Sequence, residues 1–200
     1  MKGYTKPLLL IFIILLVDQA SKTWVKTNMY LGQEFKILGD WFIIHFTENN
    51  GMAFGLEFGG EFGKLFLSLF RIAAVAGIGY GLHYLIQHKY HRGLIIKVAM
   101  IFAGALGNII DSVFYGKIYH YAGFFHGRVV DMFYFPILKG VFPTWVPIWG
   151  GEDYIFFRPV FNVADAAISV GVILILIYQK TYFKEEVVEE IGPNNEVVEE

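Results

Sequence analysis

The polar residues of this chain gather in five short clusters set in apolar sequence. They are Asp18-Gln19-Ala20-Ser21-Lys22, Asn49-Asn50-Gly51-Met52-Ala53-Phe54-Gly55, the run GALGNIID from Gly104 to Asp111, Gly127-Arg128-Val129-Val130-Asp131, and Phe161-Asn162-Val163-Ala164-Asp165. What is missing narrows their chemistry. The chain has no cysteine, so it offers no thiolate nucleophile, no disulfide and no Cys-ligated metal. The serines are Ser21, Ser68, Ser112 and Ser169, and none stands in a Gly-x-Ser-x-Gly elbow. No His-Glu-x-x-His is present, and the six histidines show no ligand spacing on one helix face. Neither a metal nor another cofactor is therefore expected. Carboxylates remain. Two aspartates held together in a dry site cannot both ionise, so the pair shares a proton. One can then take a proton from water while the other polarises a scissile carbonyl. Spacing alone does not choose the pair among Asp18, Asp111, Asp131 and Asp165.

The elements that must position these groups look membranous. Of the 200 residues 56% are hydrophobic and only 17% charged, against about 25% charged in an ordinary soluble domain. Mean hydropathy is +0.50. Seven of the 18 acidic residues fall in the last sixteen positions, 185–200, leaving 16 basic against 11 acidic residues over 1–184. That tail reads as a solvated, disordered acidic extension. The remaining basic residues are scattered and form no nucleic-acid stripe. Residues 1–184 read as one membrane domain with four apolar spans, about 8–25, 62–86, 93–114 and 161–178. The first could be mistaken for a signal peptide, but cleavage after Ala20 would put Asp18 where a small residue is needed. Arg71 lies roughly 10 Å inside the second span and must snorkel or find a partner.

The short loop between the second and third spans holds His88, Lys89, His91 and Arg92. By the positive-inside rule it faces the cytoplasm, with both termini, and the loops 26–61 and 115–160 lie outside. Segment 35–47 is β-prone and broken by Gly39-Asp40, a hairpin signal. Segment 132–160 is rich in Phe, Tyr and Trp and carries Pro136, Pro143, Pro147 and Pro159. That excludes a fifth span and suits the membrane surface.

Each cluster has a structural reading beside a functional one. Asp18 and Lys22 share a helix face, either as an ion pair that fixes packing or as a head-group site. Asn108 and Asp111, three apart, suit interhelical hydrogen bonds, and the small residues at 104, 105 and 107 suit close packing. Asp165 could cap a helix N-terminus. Asp131 stands between Val130 and Met132, where a lone carboxylate gains nothing structurally.

The order D-Q-x-x-K, N-x-G-x-A-F-G, G-A-L-G-N-x-x-D, G-x-V-x-D and F-N-x-A-D resembles bacterial lipoprotein signal peptidase (signal peptidase II) over roughly residues 8–178. The resemblance implies an all-α membrane protein of four transmembrane helices, with a small periplasmic β-cradle and an interfacial or lid segment. It implies an aspartic endopeptidase of the bacterial inner membrane. Such an enzyme removes the signal peptide from diacylglyceryl-modified prolipoproteins, cleaving before the lipidated Cys at the periplasmic face. The catalytic acids would be Asp131 and Asp165. Supporting or substrate-binding positions would be Asp18, Lys22, Asn50, Gly51, Asn108, Asp111, Arg128 and Asn162. Prolipoprotein signal peptides, membrane lipids and globomycin-type inhibitors are the implied partners. In many members an Arg directly follows the aspartate of G-N-x-x-D; here Ser112 does, and Arg128 is a candidate to supply that charge. The rival readings are a proton-coupled transporter, which calls for midplane carboxylates and an inverted repeat, and a structural assembly factor, which leaves Asp131 without a purpose.

Overall fold

The computed structural model describes residues 3–50, 60–136, 138–156 and 159–183. The acidic tail and Gly51 lie outside these.

Helix α1 (Thr5–Asn28), α2 (Gly60–Gln87) and α3 (Arg92–Ile110) are the long elements. α3 runs on through a five-residue π-helical stretch, Asp111–Tyr115, into α4 (Gly116–Ile118). Three stretches are long and apolar enough to cross a membrane: Thr5–Asn28, Phe62–Gln87 and Arg92–Ile118. The fourth expected span is α5 (Val163–Ile177), followed by the short α6 (Gln179–Tyr182). α5 has 15 residues and falls short of a full crossing by length.

Apolar residues on these helices divide between two environments. Ile11, Leu82, Ile95, Ala99 and Ala103 pack α1, α2 and α3 against one another. Val75, Ile109 and Val113 continue the α2–α3 seam. Phe12, Leu16, Phe66, Phe70, Ile173 and Ile177 are instead exposed. In water that much exposed apolar side chain would be a liability, whereas lipid solvates it.

α3 and α5 approach closely where α3 carries glycine. A Cβ on Gly104 would lie 2.2 Å from the backbone oxygen of Ala164. A Cβ on Gly107 would lie 2.6 Å from the Asp18 carboxylate and 3.3 Å from the Ala164 methyl.

The expected hairpin forms β1 (Glu34–Leu38) and β2 (Phe42–Asn49), with Gly39 at φ +56° in the turn. Part of the aromatic segment is strand rather than irregular loop. β3 (Val129–Tyr134) pairs antiparallel with β2, and β6 (Val160–Phe161) pairs with β3, giving the order β1-β2-β3-β6. Between β3 and β6 the chain makes a separate hairpin, β4 (Leu138–Val141) with β5 (Asp153–Phe156). Trp145, Ile148 and Trp149 stand exposed in its connection. The main sheet rests on the end of α1 through Val25, Met29, Phe46, Tyr115, Val130 and Met132.

Candidate active site

Asp131 and Asp165 come from different kinds of element. β3 places Asp131 opposite Thr47 of β2, and the residue is 4% exposed. Asn162 and Asp165 stand at the start of α5. Asn162 is the N-cap and accepts from the Asp165 backbone N–H at 2.9 Å, while the Asp165 carboxylate accepts from the Asn162 backbone N–H at 3.3 Å. This is a capping box with Asp in place of Glu. So the structural role open to Asp165 is real, but it uses only one carboxylate oxygen. The other, Oδ1, accepts from the Asn108 side chain at 2.8 Å.

One side chain links the two acids. The Asn162 amide donates to Asp131 Oδ1 at 2.7 Å, and its carbonyl holds the Asp165 backbone. The same amide also reaches the Val130 carbonyl and Asn108 Oδ1, both at 3.2 Å. Asn49 donates to the second oxygen of Asp131. Burial, and then the nearby charge of Asp165, push the Asp131 carboxyl up to about 7, against the bonds from Asn49 and Asn162 and the charge of Lys22.

Behind the acids lies a buried polar network. Lys22 is fully buried, and its ammonium has three donors. They meet Asp111 at 2.8 Å, Asp18 at 2.9 Å and Asn108 at 3.0 Å. Gln19, between Asp18 and Lys22 in the first cluster, bonds both Asp18 and Asp111 at 3.0 Å, a role its place in that cluster does not reveal. Tyr115 donates to Gln19 at 3.2 Å. Each buried carboxylate also grips another element. Asp18 Oδ1 accepts from the Ala164 N–H at 2.9 Å, so α1 caps the start of α5. Asp111 Oδ2 accepts from the Val130 N–H at 3.3 Å, one residue before Asp131. A buried network of this kind is stable only when every member is satisfied. Within it Lys22 joins Asp18 of its own helix to Asn108 of α3 and to Asp111 just beyond it.

Two expected supports stand elsewhere. Asn50 accepts from Lys64 of α2 at 2.8 Å, and it is Asn49 that touches Asp131. Neighbouring residues at a strand end face opposite sides, so only one of the pair can reach β3's acid. Arg128 does not sit at Ser112. It is half exposed, 3.7 Å from Glu48, and lies over the Tyr121 ring. Glu48 also pairs with Lys26. The cation beside Ser112 is Arg71, which donates to its hydroxyl at 3.3 Å. Arg71 lies within Coulombic reach of Asp165, Asp111 and Asp131. The signal for it was its own position, a charge too deep in an apolar span to be left unpartnered. Among the described residues no three His, Cys, Asp or Glu side chains converge as a metal site.

Asn162 thus touches both acids, its side-chain amide on the Asp131 carboxyl and its backbone N–H on the Asp165 carboxyl.

A sequence profile of the family described as Signal peptidase (SPase) II matches residues 10–181. The chain is 50% identical over 189 residues to a lipoprotein signal peptidase of Porphyromonas gingivalis, covering 86% of this chain and 82% of that one. It is 38% identical over 184 residues to the lipoprotein signal peptidase of Amoebophilus asiaticus, covering 88% and 78%. Among solved structures it resembles a bacterial membrane enzyme with a TM-score of 0.63 at 26% identity, covering 90% of this chain and 92% of that one.

Proposed function

Because this chain belongs to the signal peptidase II family, we propose that it removes signal peptides from prolipoproteins by an aspartic mechanism carried by Asp131 and Asp165. The observation that carries the reading is the Asn162 bridge, which holds Asp131 by its amide and Asp165 by its carbonyl.

Asp165 has donors on both oxygens and the N-terminus of α5 behind it. That setting suits a carboxylate that takes a proton from the attacking water. Asp131, with its carboxyl up at about 7, carries the shared proton and donates it to the scissile carbonyl oxygen as water adds to the carbon. When the C–N bond breaks, Asp165 gives its proton to the leaving amine and Asp131 takes one from a hydroxyl of the gem-diol as the product carboxyl forms, so the pair again holds one proton. Asn108 and Asn162 fix the acids' rotamers, and the Lys22 network fixes Asn108 and β3.

The substrate is a prolipoprotein whose Cys carries diacylglyceryl, cut just before that Cys. Its signal helix docks among the spans with the acyl chains in lipid. The protein sits in the bacterial inner membrane with both termini cytoplasmic and the acids toward the periplasmic face. Globomycin-type inhibitors would compete for the same groove. Asp131→Asn and Asp165→Asn keep the shape and remove the acid. Each should lower cleavage of a lipidated prolipoprotein by about a thousandfold. Wild-type turnover by either variant ends the assignment.

A further inference from the structure

The far end of the helical bundle carries a second candidate site. Tyr4, just before α1, bonds His83 at 2.9 Å and Gln87 at 3.0 Å, both on α2. That tie brings the start of α1 to the end of α2, where the chain turns into α3. A cavity of about 460 Å³ opens there, and Lys6, Lys89 and Arg92 all line it. Among the described residues no Asp or Glu lines it. Pro7, Ile95 and Ile96 give it an apolar side. The N-terminus of α3, at Arg92, adds the positive end of a 19-residue helix. Nineteen residues of rise separate Arg92 from Asp111, roughly 28 Å, so this site is separate from the acids.

Lys89 stands in the turn that follows α2. It has φ +55°, and its N–H bonds the Ile86 carbonyl at 3.2 Å while the Tyr90 N–H bonds the Leu85 carbonyl at 3.0 Å. This is a Schellman turn with Lys at the left-handed position that normally takes Gly.

We propose that this cavity binds the phosphate headgroup of an anionic phospholipid, on the opposite leaflet from the peptidase site. The three cations and the helix N-terminus meet the phosphate, and the apolar wall takes the start of the acyl chains. Basic pockets between membrane helices have the chemistry for such headgroups.

The test uses the full-length protein in detergent, with retained lipid measured by native mass spectrometry. The probes are dioleoyl phosphatidylglycerol, dioleoyl phosphatidylcholine and inorganic phosphate. Wild type should retain phosphatidylglycerol over phosphatidylcholine, and millimolar phosphate should not displace it. Lys89→Gly should lower that preference about fivefold, and the triple variant K6Q/K89G/R92Q about a hundredfold. Glycine suits the turn, so K89G should melt no lower than wild type, which separates lost binding from lost folding. K6Q supplies a second reading at an ordinary backbone position. K180Q removes one charge from the exposed α6, outside the cavity, and should leave the preference unchanged. Three results would overturn the proposal. They are equal retention of the two lipids by wild type, K180Q matching K89G, and displacement by phosphate alone, which would mark a free-anion site.

Discussion

Asp131 holds a proton near neutrality because it is buried beside another acid, and that sets a pH dependence. Between the ordinary carboxylate range and about 7, the folded protein binds a proton there that the unfolded chain has released. Asp131's contribution to stability is therefore full at low pH and declines as pH rises toward and through 7. The melting temperature should fall from pH 5 to pH 8, and Asp131→Asn should flatten that slope. The alkaline limb of the cleavage rate should lie near pH 7 for the same reason; a rate still rising at pH 9 would contradict it. Arg71 and Arg128 make a second pair to separate. Arg71 faces the acids through Ser112, whereas Arg128 pairs with Glu48 at the surface. Arg71→Gln should cut turnover by about tenfold or more, from removing a charge that acts on the buried acids. Arg128→Gln should change it little. Equal losses from the two would dissolve the distinction. Sequence alone offered Arg128 because it lies within the G-x-V-x-D motif; burial and direction are properties of the folded chain.

At the scale of elements, the glycines of α3 carry the geometry. Gly104 and Gly107 let α5 come close enough for Asp18 to cap Ala164 and Asn108 to reach Asp165. A methyl at 104 meets backbone, which cannot swing aside. Gly104→Ala should cost about 1–3 kcal/mol of stability and lower turnover, since α5 carries both Asn162 and Asp165. In α2, Gly77 and Gly81 have nothing within 4 Å of an added Cβ. Alanine there should instead add about 0.5–1 kcal/mol. Melting and cleavage assays on the three variants check both signs. The close packing was legible from the small residues of GALG. So was the β1–β2 hairpin, because Gly39-Asp40 interrupts a β-prone run. β3 was not legible. Its residues VVDMFY are buried at both ends of the alternation by α1 below and β2 and β6 beside, so no period-two pattern marks a strand. That Asn49 reaches Asp131 was hidden too, since it depends on which way a strand end turns.

Across the whole molecule, the membrane character and the polar clusters were readable because charge is rare and each exception stands out. Which exceptions meet was not, since Asp18, Asp111, Asp131 and Asp165 are spread over most of the chain and topology alone brings them together. Resemblance supplied the two positions proposed as catalytic, and the hydrogen bonds through Asn162 and Asn108 support that proposal. The short α5 has one more consequence. Tyr182, just beyond its end, packs against His91 at the basic end of the bundle. Fifteen residues climb only about 22 Å, while a hydrocarbon layer is about 30 Å deep. On the proposed orientation the acid at the helix's first turn would lie beneath the headgroups, at the bottom of a dimple. Either the bilayer thins around the protein or the scissile peptide is pulled down into it, and bilayers of longer-chain lipid should slow the reaction.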